Sequence, residues 1–585
     1  MPNEKKVRLN TVPTFRRVIA FALIAIAASV LYVDAPRVAV VHATPGSRAT
    51  LENPDAACAA CHQTIYDKYR QTGMARGSGV AMDGLIAGGF HHAPSGVDYR
   101  VFERDGAAWM SYSRPAKAAP DTARGALEGE RRVEFYVGSG HRGRTYLFNE
   151  SGRWYELPIN YYTRRAAWDM APAFDNVTAM PAPLPVDPNC LHCHATDVQA
   201  SLQDARNHYA AAPFRQGGIG CSACHGDPTR HLADKGHGPI VNPGKLPVAE
   251  RDSACIQCHL EGDAVVYRPG RSLAQFRPGD KLSDIAVYFV RASEPGDGRR
   301  ATSQYEALLR SACKRASGDK LTCTTCHDPH SAPSAAERVS YFRARCLACH
   351  TESAMATHHS EQQDCATCHM PTRKTVDISH EQVTDHDIEA RPASQGGLQL
   401  ATLGANDMSK LVAVGGFEAG DRETGLAYAQ LAGHGDRAAA RTALGLLSKL
   451  PARAPAGVDV AVRLGYLEQI SGDAGKAAAS YKSALETDPW EPTALANLAV
   501  LDAGSGRVPE AINLLQRLVD ADPSRTAAGL NLAFIECSLD RREKAAALLE
   551  RLRRSNPDDP QLRRFADTGE YAGQRCLLNP QLPKK

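Results

Sequence analysis

Cys323-Thr324-Thr325-Cys326-His327, Cys346-Leu347-Ala348-Cys349-His350 and Cys365-Ala366-Thr367-Cys368-His369 crowd into residues 323–369. Working outward, four more stretches have the same Cys-x-x-Cys-His form: Cys58 to His62, Cys190 to His194, Cys221 to His225 and Cys255 to His259. Two thiols at this spacing can each bond to one porphyrin, and the histidine that follows them supplies an axial nitrogen to its iron. This is the attachment signal of c-type haem. Chance would give on the order of a few hundredths of one match at this Cys and His content. Zinc sites pair such cysteines without requiring a His directly after the second one. Disulfides would explain the cysteines and leave the histidines unexplained.

The sequence therefore predicts seven covalently attached c-type haems. The attachment residues are Cys58, Cys61, Cys190, Cys193, Cys221, Cys224, Cys255, Cys258, Cys323, Cys326, Cys346, Cys349, Cys365 and Cys368. The proximal iron ligands are His62, His194, His225, His259, His327, His350 and His369. So little chain separates the last three motifs that their haems must lie close together.

The chain has 585 residues, enough for more than one domain. Its formal charge of +3 is misleading. Seven haems, each with two propionates only partly offset by the iron–porphyrin core, add roughly −7 to −14, depending on redox state. The assembled protein is thus near neutral or acidic, and nothing in its charge implies a nucleic-acid partner.

Residues 1–43 read as a signal peptide or a signal anchor. Lys5, Lys6, Arg8, Arg16 and Arg17 flank an uncharged, mostly apolar run from Val18 to Val33. Val41-His42-Ala43 offers a small-residue cleavage site. Either form exports the rest of the chain, so the expectation is a periplasmic protein, free or tethered to the inner membrane.

The haem domain is expected over 44–395. Between the first two motifs, 133–137, 144–148 and 153–157 read as strands, with a turn at Asn149-Glu150-Ser151-Gly152. They predict a small antiparallel β insertion in a mainly α fold whose core is largely porphyrin. A linker is expected over 396–423 and a repeat domain over 424–570, with a tail at 571–585. In the repeat region Pro489, Pro523 and Pro557 recur at a fixed period, as do Gly472, Gly506 and Asp540. Ala477, Ala511 and Ala545 keep the same register, and so do Leu464, Leu498 and Leu532. The columns resemble the tetratricopeptide repeat, about 34 residues long, three copies over 458–559 with a degenerate copy before them. The resemblance implies an α-solenoid that folds without haem and binds a protein or peptide partner.

Three cysteines lie outside the motifs. Cys313 reads as a free thiol. Cys537 reads as a small buried apolar residue, with a disulfide to Cys576 as the alternative.

The remaining question is what lies on the second face of each iron. A second His gives a six-coordinate electron carrier, whereas an open position gives a substrate site. Twelve further histidines occur in the haem region: His91, His92, His141, His192, His208, His231, His237, His330, His358, His359, His380 and His386. His192 lies between the cysteines of its own motif and cannot reach the far side of that haem.

Gly218-Ile-Gly-Cys221-Ser-Ala-Cys224-His225-Gly-Asp-Pro228 with His231 resembles a signature of multihaem cytochromes of the cytochrome c-552/c-554-like kind. Cys323 to His330, Cys365 to Pro371 and the late pair His380 and His386 are similar to further motifs of that group. The resemblance covers about 50–390, and many members carry C-terminal tetratricopeptide repeats. It implies that downstream histidines ligate haems other than their own. His231, His330, His380 and His386 take that role by resemblance, followed by His92 and His237, then His359 and His208. Asp227 stands where the group usually has a Gly-Pro-Gly turn.

The expected function is electron transfer through closely packed haems, with redox partner proteins and a docking role for the repeats. The alternative is an oxidoreductase of small nitrogen or sulfur oxyanions at one five-coordinate haem. The chain has no Cys-x-x-Cys-Lys variant, so the catalytic haem motif of pentahaem nitrite reductase is not matched.

Overall fold

Alternation of buried with more exposed residues along Val97–Phe102 and Ala107–Arg114 puts one face of each of the strands Val97–Arg104 and Ala107–Arg114 into a core. In the computed structural model these strands belong to a large sheet. The structure describes residues 50–115, 126–174, 176–292, 300–351, 364–378, 380–388, 410–450 and 457–578. The segment read as an export signal, half of the expected linker (396–409), and His358 and His359 lie outside them. Among the described residues no helix is long and apolar enough to cross a membrane.

The insertion expected to be small is a ten-stranded antiparallel sheet. Its main path runs β10 (Leu184–Pro185), β7 (Arg153–Glu156), β6 (Gly143–Glu150), β5 (Leu127–Val137), β4 (Ala107–Arg114), β3 (Val97–Arg104), β2 (Gly88–His92). β1 (Ser78–Val80) pairs with the end of β5, while β8 (Ile159–Tyr162) joins β6 to β9 (Ala167–Met170). The three expected strands fall within β5, β6 and β7. The expected turn closes the β6–β7 hairpin, with Ser151 and Gly152 both at positive φ. Val97, Val101, Met110, Tyr146, Phe148 and Trp168 fill one side of this sheet. The fold is therefore richer in β structure than the sequence reading held. Its two longest unanticipated strands, β3 and β4, are half-buried rather than continuously apolar.

The motif-bearing segments are short helices: α1 (Ala56–Tyr69), α2 (Pro188–His192), α3 (Ser222–His225), α5 (Val248–His259), α8 (Cys323–Cys326), α9 (Arg338–Leu347) and α10 (Cys365–His369). The intervening short helices are α4 (Thr229–Ala233), α6 (Gln304–Arg310) and α7 (Ala312–Ser317).

From Asp421 onward the chain is a series of helix pairs: α11–α12 (Asp421–Gly433, Arg437–Leu447), α13–α14 (Gly457–Ile470, Ala474–Thr487), α15–α16 (Pro492–Gly504, Val508–Ala521) and α17–α18 (Thr526–Ser538, Arg542–Ser555). A final α19 spans Pro560–Thr568. The repeat columns have direct structural meaning. Ala477, Ala511 and Ala545 are fully buried where paired helices touch. Gly472, Gly506 and Asp540 all take positive φ at the intra-pair turns, so Asp540 holds a conformation that favours glycine. Cys537 is joined to Cys576 by a disulfide, tying α17 to the C-terminal hairpin.

The repeats are not walled off from the haem region. Within the stretch read as a linker, Leu411–Ala413 forms β17 and pairs with β14 (Ala286–Arg291), which pairs with β13 (Ala264–Tyr267). Leu426, Leu431 and Leu447 of the first helix pair share one apolar core with Val266, Val287, Phe289 and Leu411. At the other end, the loops after α16 and α18 dock on the large sheet. Arg153 donates to the Ala521 carbonyl at 2.7 Å and to that of Asp520 at 3.1 Å. Arg114 pairs with Asp558 through two hydrogen bonds, and both side chains are only 1% exposed.

Candidate functional site

The motif helices bury little against protein. Among their described residues, α8, α9 and α10 bury none and α1 buries only Tyr69. Ile65, Met74, Leu232, Ile240, Val339 and Val376 are large exposed apolar side chains close in sequence to motifs. Short helices with cysteines on one face and uncovered apolar side chains alongside are the surfaces a covalently held porphyrin would cover. The chain thus fits the group its motifs imply. The thiols described below stand for the thioether sulfurs of the mature protein.

The motifs meet in pairs. Motifs one and three are bound through Asp55, whose carboxylate accepts from the Cys221 N–H at 3.1 Å and from Gln216 Nε2 at 2.8 Å. The ligand atoms of Asp55, Cys58 and Cys221 all lie within 4.8 Å of one another. Because both cysteines are haem-attachment residues by their motifs, this trio marks adjacency of two motifs rather than a metal site. The segments behind them also lock: Tyr69 donates to the Ile219 carbonyl at 2.6 Å, and Ile219 N–H to that of Met74 at 2.9 Å. Gly218 has positive φ, and any Cβ there would collide with the Ala75 carbonyl.

Motifs two and four meet through their variable positions. His192 Nε2 and Gln257 Oε1 are 2.7 Å apart, and the Cys193 thiol points to the Gln257 carbonyl at 3.8 Å. The Cys193 and Cys258 side chains are close neighbours. His192 therefore packs one motif on another. Cys255 and Cys323 are likewise neighbours, bringing motifs four and five together, and Cys346 and Cys365 do the same for six and seven.

Two of the histidines expected on the far side of haem stand opposite motif histidines. His330 and His225 have ring centroids 5.9 Å apart with planes inclined by 9°. His386 and His327 are 6.2 Å apart at 26°. An iron with two nitrogen bonds of about 2 Å each would separate ligand rings by roughly this distance. Each pairing unites a motif with a histidine downstream of a later one.

The nitrogens are also set. His225 Nδ1 donates to the Val241 carbonyl at 2.8 Å, and His386 Nδ1 to that of Thr384 at 3.0 Å. His231 Nδ1 donates to the Gly238 carbonyl at 2.9 Å. A donor Nδ1 leaves the Nε2 lone pair for a metal. Burial lowers the pKa of His194, His259, His327 and His386, which favours the neutral imidazole that ligation requires.

The other expected ligands are placed as follows. His92 is buried at the end of β2 with Nδ1 2.7 Å from Ser95 Oγ. His208 Nδ1 pairs with Asp204. His237 is exposed. His380, at positive φ, has Nε2 2.8 Å from Arg165 and 3.2 Å from Asp169. Among the described ring contacts, none joins His92, His231, His237 or His380 to a motif histidine. His359 lies outside the described residues.

Sequence reasoning missed Asp55, Asp252, Gln257 and Gln304, whose Oε1 lies 3.3 Å from His259 Nδ1. A signal existed for the two acids. Asp55, Asp187 and Asp252 each stand three residues before the first Cys of a motif.

Comparison with known proteins agrees with these two halves. A family model described as Tetratricopeptide repeat matches 470–528 and 503–566. One described as Doubled CXXCH motif matches 315–355, and one described as Cytochrome c554 and c-prime matches 165–226. Among solved structures, MamA AMB-1 is 21% identical, with 24% of this chain and 74% of that one covered, at a TM-score of 0.22. A tetratricopeptide repeat protein from Parabacteroides merdae is 22% identical over 25% of this chain and 57% of that one, at a TM-score of 0.22. No curated protein matches. The motifs and the family models together make this chain a c-type cytochrome with tetratricopeptide repeats.

Proposed function

We propose that the chain is an exported heptahaem cytochrome that passes electrons between protein partners. Its haem domain would span about 44–395, with the repeats of 424–570 as scaffold and docking surface. The observation that carries the reading is that motifs meet in pairs while His330 and His386 stand opposite His225 and His327. Bound at these sites, haem supplies one-electron redox chemistry. Burial favours the neutral imidazole at His194, His259 and His327, the Val241 carbonyl sets the free nitrogen of His225, and one attachment motif packs against the next. Axial positions filled by histidine favour electron transfer over substrate binding. The Cys537–Cys576 disulfide supports an oxidising compartment, in line with the export signal. The haem domain takes up one edge of the repeats, through Arg114 and Arg153. A protein partner would therefore use the faces turned away from that edge.

The test is an intact mass with seven added haems, followed by cyanide and carbon monoxide titration of the oxidised and reduced protein. Little binding, and slow reoxidation of the reduced protein by nitrite, hydroxylamine or tetrathionate, are expected. Rapid catalytic reoxidation together with ligand binding at one iron would overturn the reading in favour of an oxyanion oxidoreductase. Within this reading, His330→Met should alter the electron paramagnetic resonance of one haem while seven haems remain attached. Unchanged spectra would remove His330 from the ligand set.

A further inference from the structure

An aspartate just before a short helix ordinarily caps that helix by accepting its first free N–H groups. Asp187, three residues before Cys190, does so: it accepts from the Asn189 N–H at 2.8 Å. Asp55 has the same spacing before Cys58 and occupies the N-cap position of α1, yet makes no bond to its own helix. Its carboxylate turns outward to the Cys221 N–H and to Gln216. Asp252, with the same spacing before Cys255, lies inside α5, and one of its carboxylate oxygens is buried with no hydrogen-bond partner. Asp55 is 4% exposed.

Burying a carboxylate is unfavourable unless donors answer it. At Asp55 one donor is the first residue of a second motif and the other, Gln216, lies just before it, so the burial is satisfied only when motifs one and three are correctly placed. The Cys58 and Cys221 sulfurs also come together there.

We propose that Asp55 is a positioning residue for electron transfer between the haems of motifs one and three. Its buried carboxylate, standing before one haem motif, fixes the first cysteine of the other and so sets the separation of the two haems while keeping a negative charge between them. The geometry of the pair is thereby decided by protein hydrogen bonds and not by porphyrin packing alone. The charge favours the oxidised irons at both sites, because Coulomb interactions act strongly in a poorly solvated interior.

The proposal rests on the reading that all seven motifs carry haem, and the full-length holo-protein can separate the two questions. Asp55→Asn keeps the shape and one acceptor oxygen but removes the charge. Asp55→Ala removes the clasp. Intact mass counts haems, a spectroelectrochemical titration gives potentials, and electron paramagnetic resonance reports magnetic coupling between neighbouring irons. The expected result for the Asn variant is seven haems with two midpoint potentials moved upward. The Ala variant should in addition change the coupling signal. If the Ala variant matures poorly, the titration of its Asn counterpart decides. Seven haems with titration curves and coupling signals superimposable on the parent would overturn the proposal. A parent protein with no haem on motif one or three would instead overturn the heptahaem reading.

Discussion

Replacing Asp558 by Ala should loosen the repeat domain from the large sheet without touching a haem. Asp558 lies in the loop between α18 and α19, and its carboxylate takes two hydrogen bonds from Arg114, at 2.8 and 2.5 Å. It also accepts from the Met180 N–H at 2.7 Å and pairs with Arg563 at 2.7 Å. Arg114 and Asp558 are each 1% exposed. Removing one partner of a buried pair typically destabilises by about 3–5 kcal/mol, because the other charge stays buried and unpaired. Here Arg114 would lose both charged contacts to Asp558 while keeping its bond to the Ser95 carbonyl at 3.1 Å. At ~1.4 kcal/mol per tenfold, the undocked population should rise by roughly 10²- to 10⁴-fold. Limited proteolysis under native conditions reads this directly when opening is fast relative to cleavage. Cleavage between 550 and 570 should accelerate accordingly, while the visible haem spectrum is unchanged. The double variant Arg114→Met, Asp558→Leu should recover much of the loss, since an apolar pair leaves no orphaned charge between those two positions. An acceleration below about tenfold in Asp558→Ala would refute the idea that this pair clamps the domain.

Reducing the Cys537–Cys576 bond, or replacing Cys537 by Ser, removes a cross-link between residues 39 apart. Chain-entropy reasoning gives a loss of about 3–4 kcal/mol, seen as earlier melting of the C-terminal helices by circular dichroism. Asp540→Gly should stabilise the third repeat by roughly 0.5–1 kcal/mol, since Asp540 holds φ at 65° where its neighbours in the column are glycines. A denaturant midpoint that falls would count against that argument. Burial raises the Glu156 pKa to about 7, so the folded state holds a proton there that the unfolded chain releases at the ordinary carboxylate pKa. Stability should therefore decline as pH rises from the ordinary carboxylate range towards 7, and Glu156→Gln should flatten this slope. Melting temperatures measured from pH 4.5 to 7.5 would show the same slope in both proteins if Glu156 is not the group responsible.

The haem-attachment motifs are legible in the sequence because their chemistry fixes both residue type and spacing. The repeats were legible because each copy must bury the same contact, as Ala477, Ala511 and Ala545 do. The large sheet was underestimated for a physical reason. Its strands β3 and β4 have charged and polar residues on one face, among them Arg100, Glu103, Ser111 and Ser113, so no continuous apolar run announces them. The pairing of motifs was not legible. Asp55, Asp187 and Asp252 share one spacing, yet only the tertiary fold decides that Asp187 caps its own helix while Asp55 reaches across to a second motif. Likewise His330 and His386 were expected to serve distant haems, but no local rule says that their counterparts are His225 and His327.

The placement of the repeats changes what they can do. A solenoid joined by a flexible linker would move freely and deliver a partner to any part of the haem domain. Here the first helix pair shares its core with β13, β14 and β17. The loops after α16 and α18 are held by Arg153 and Arg114. Both ends of the solenoid are thus fixed to elements of the haem region. β13 follows motif four directly, and β7, which supplies Arg153, leads by way of β10 into motif two. Motifs two and four are the pair joined by His192 and Gln257. A partner seated on the repeats would therefore be held in a fixed relation to these two motifs and could not range over the whole haem domain. Rigid attachment of this kind favours one point of electron entry or exit, and loosening it at Asp558 should weaken partner-dependent reduction while the intrinsic potentials stay where they are.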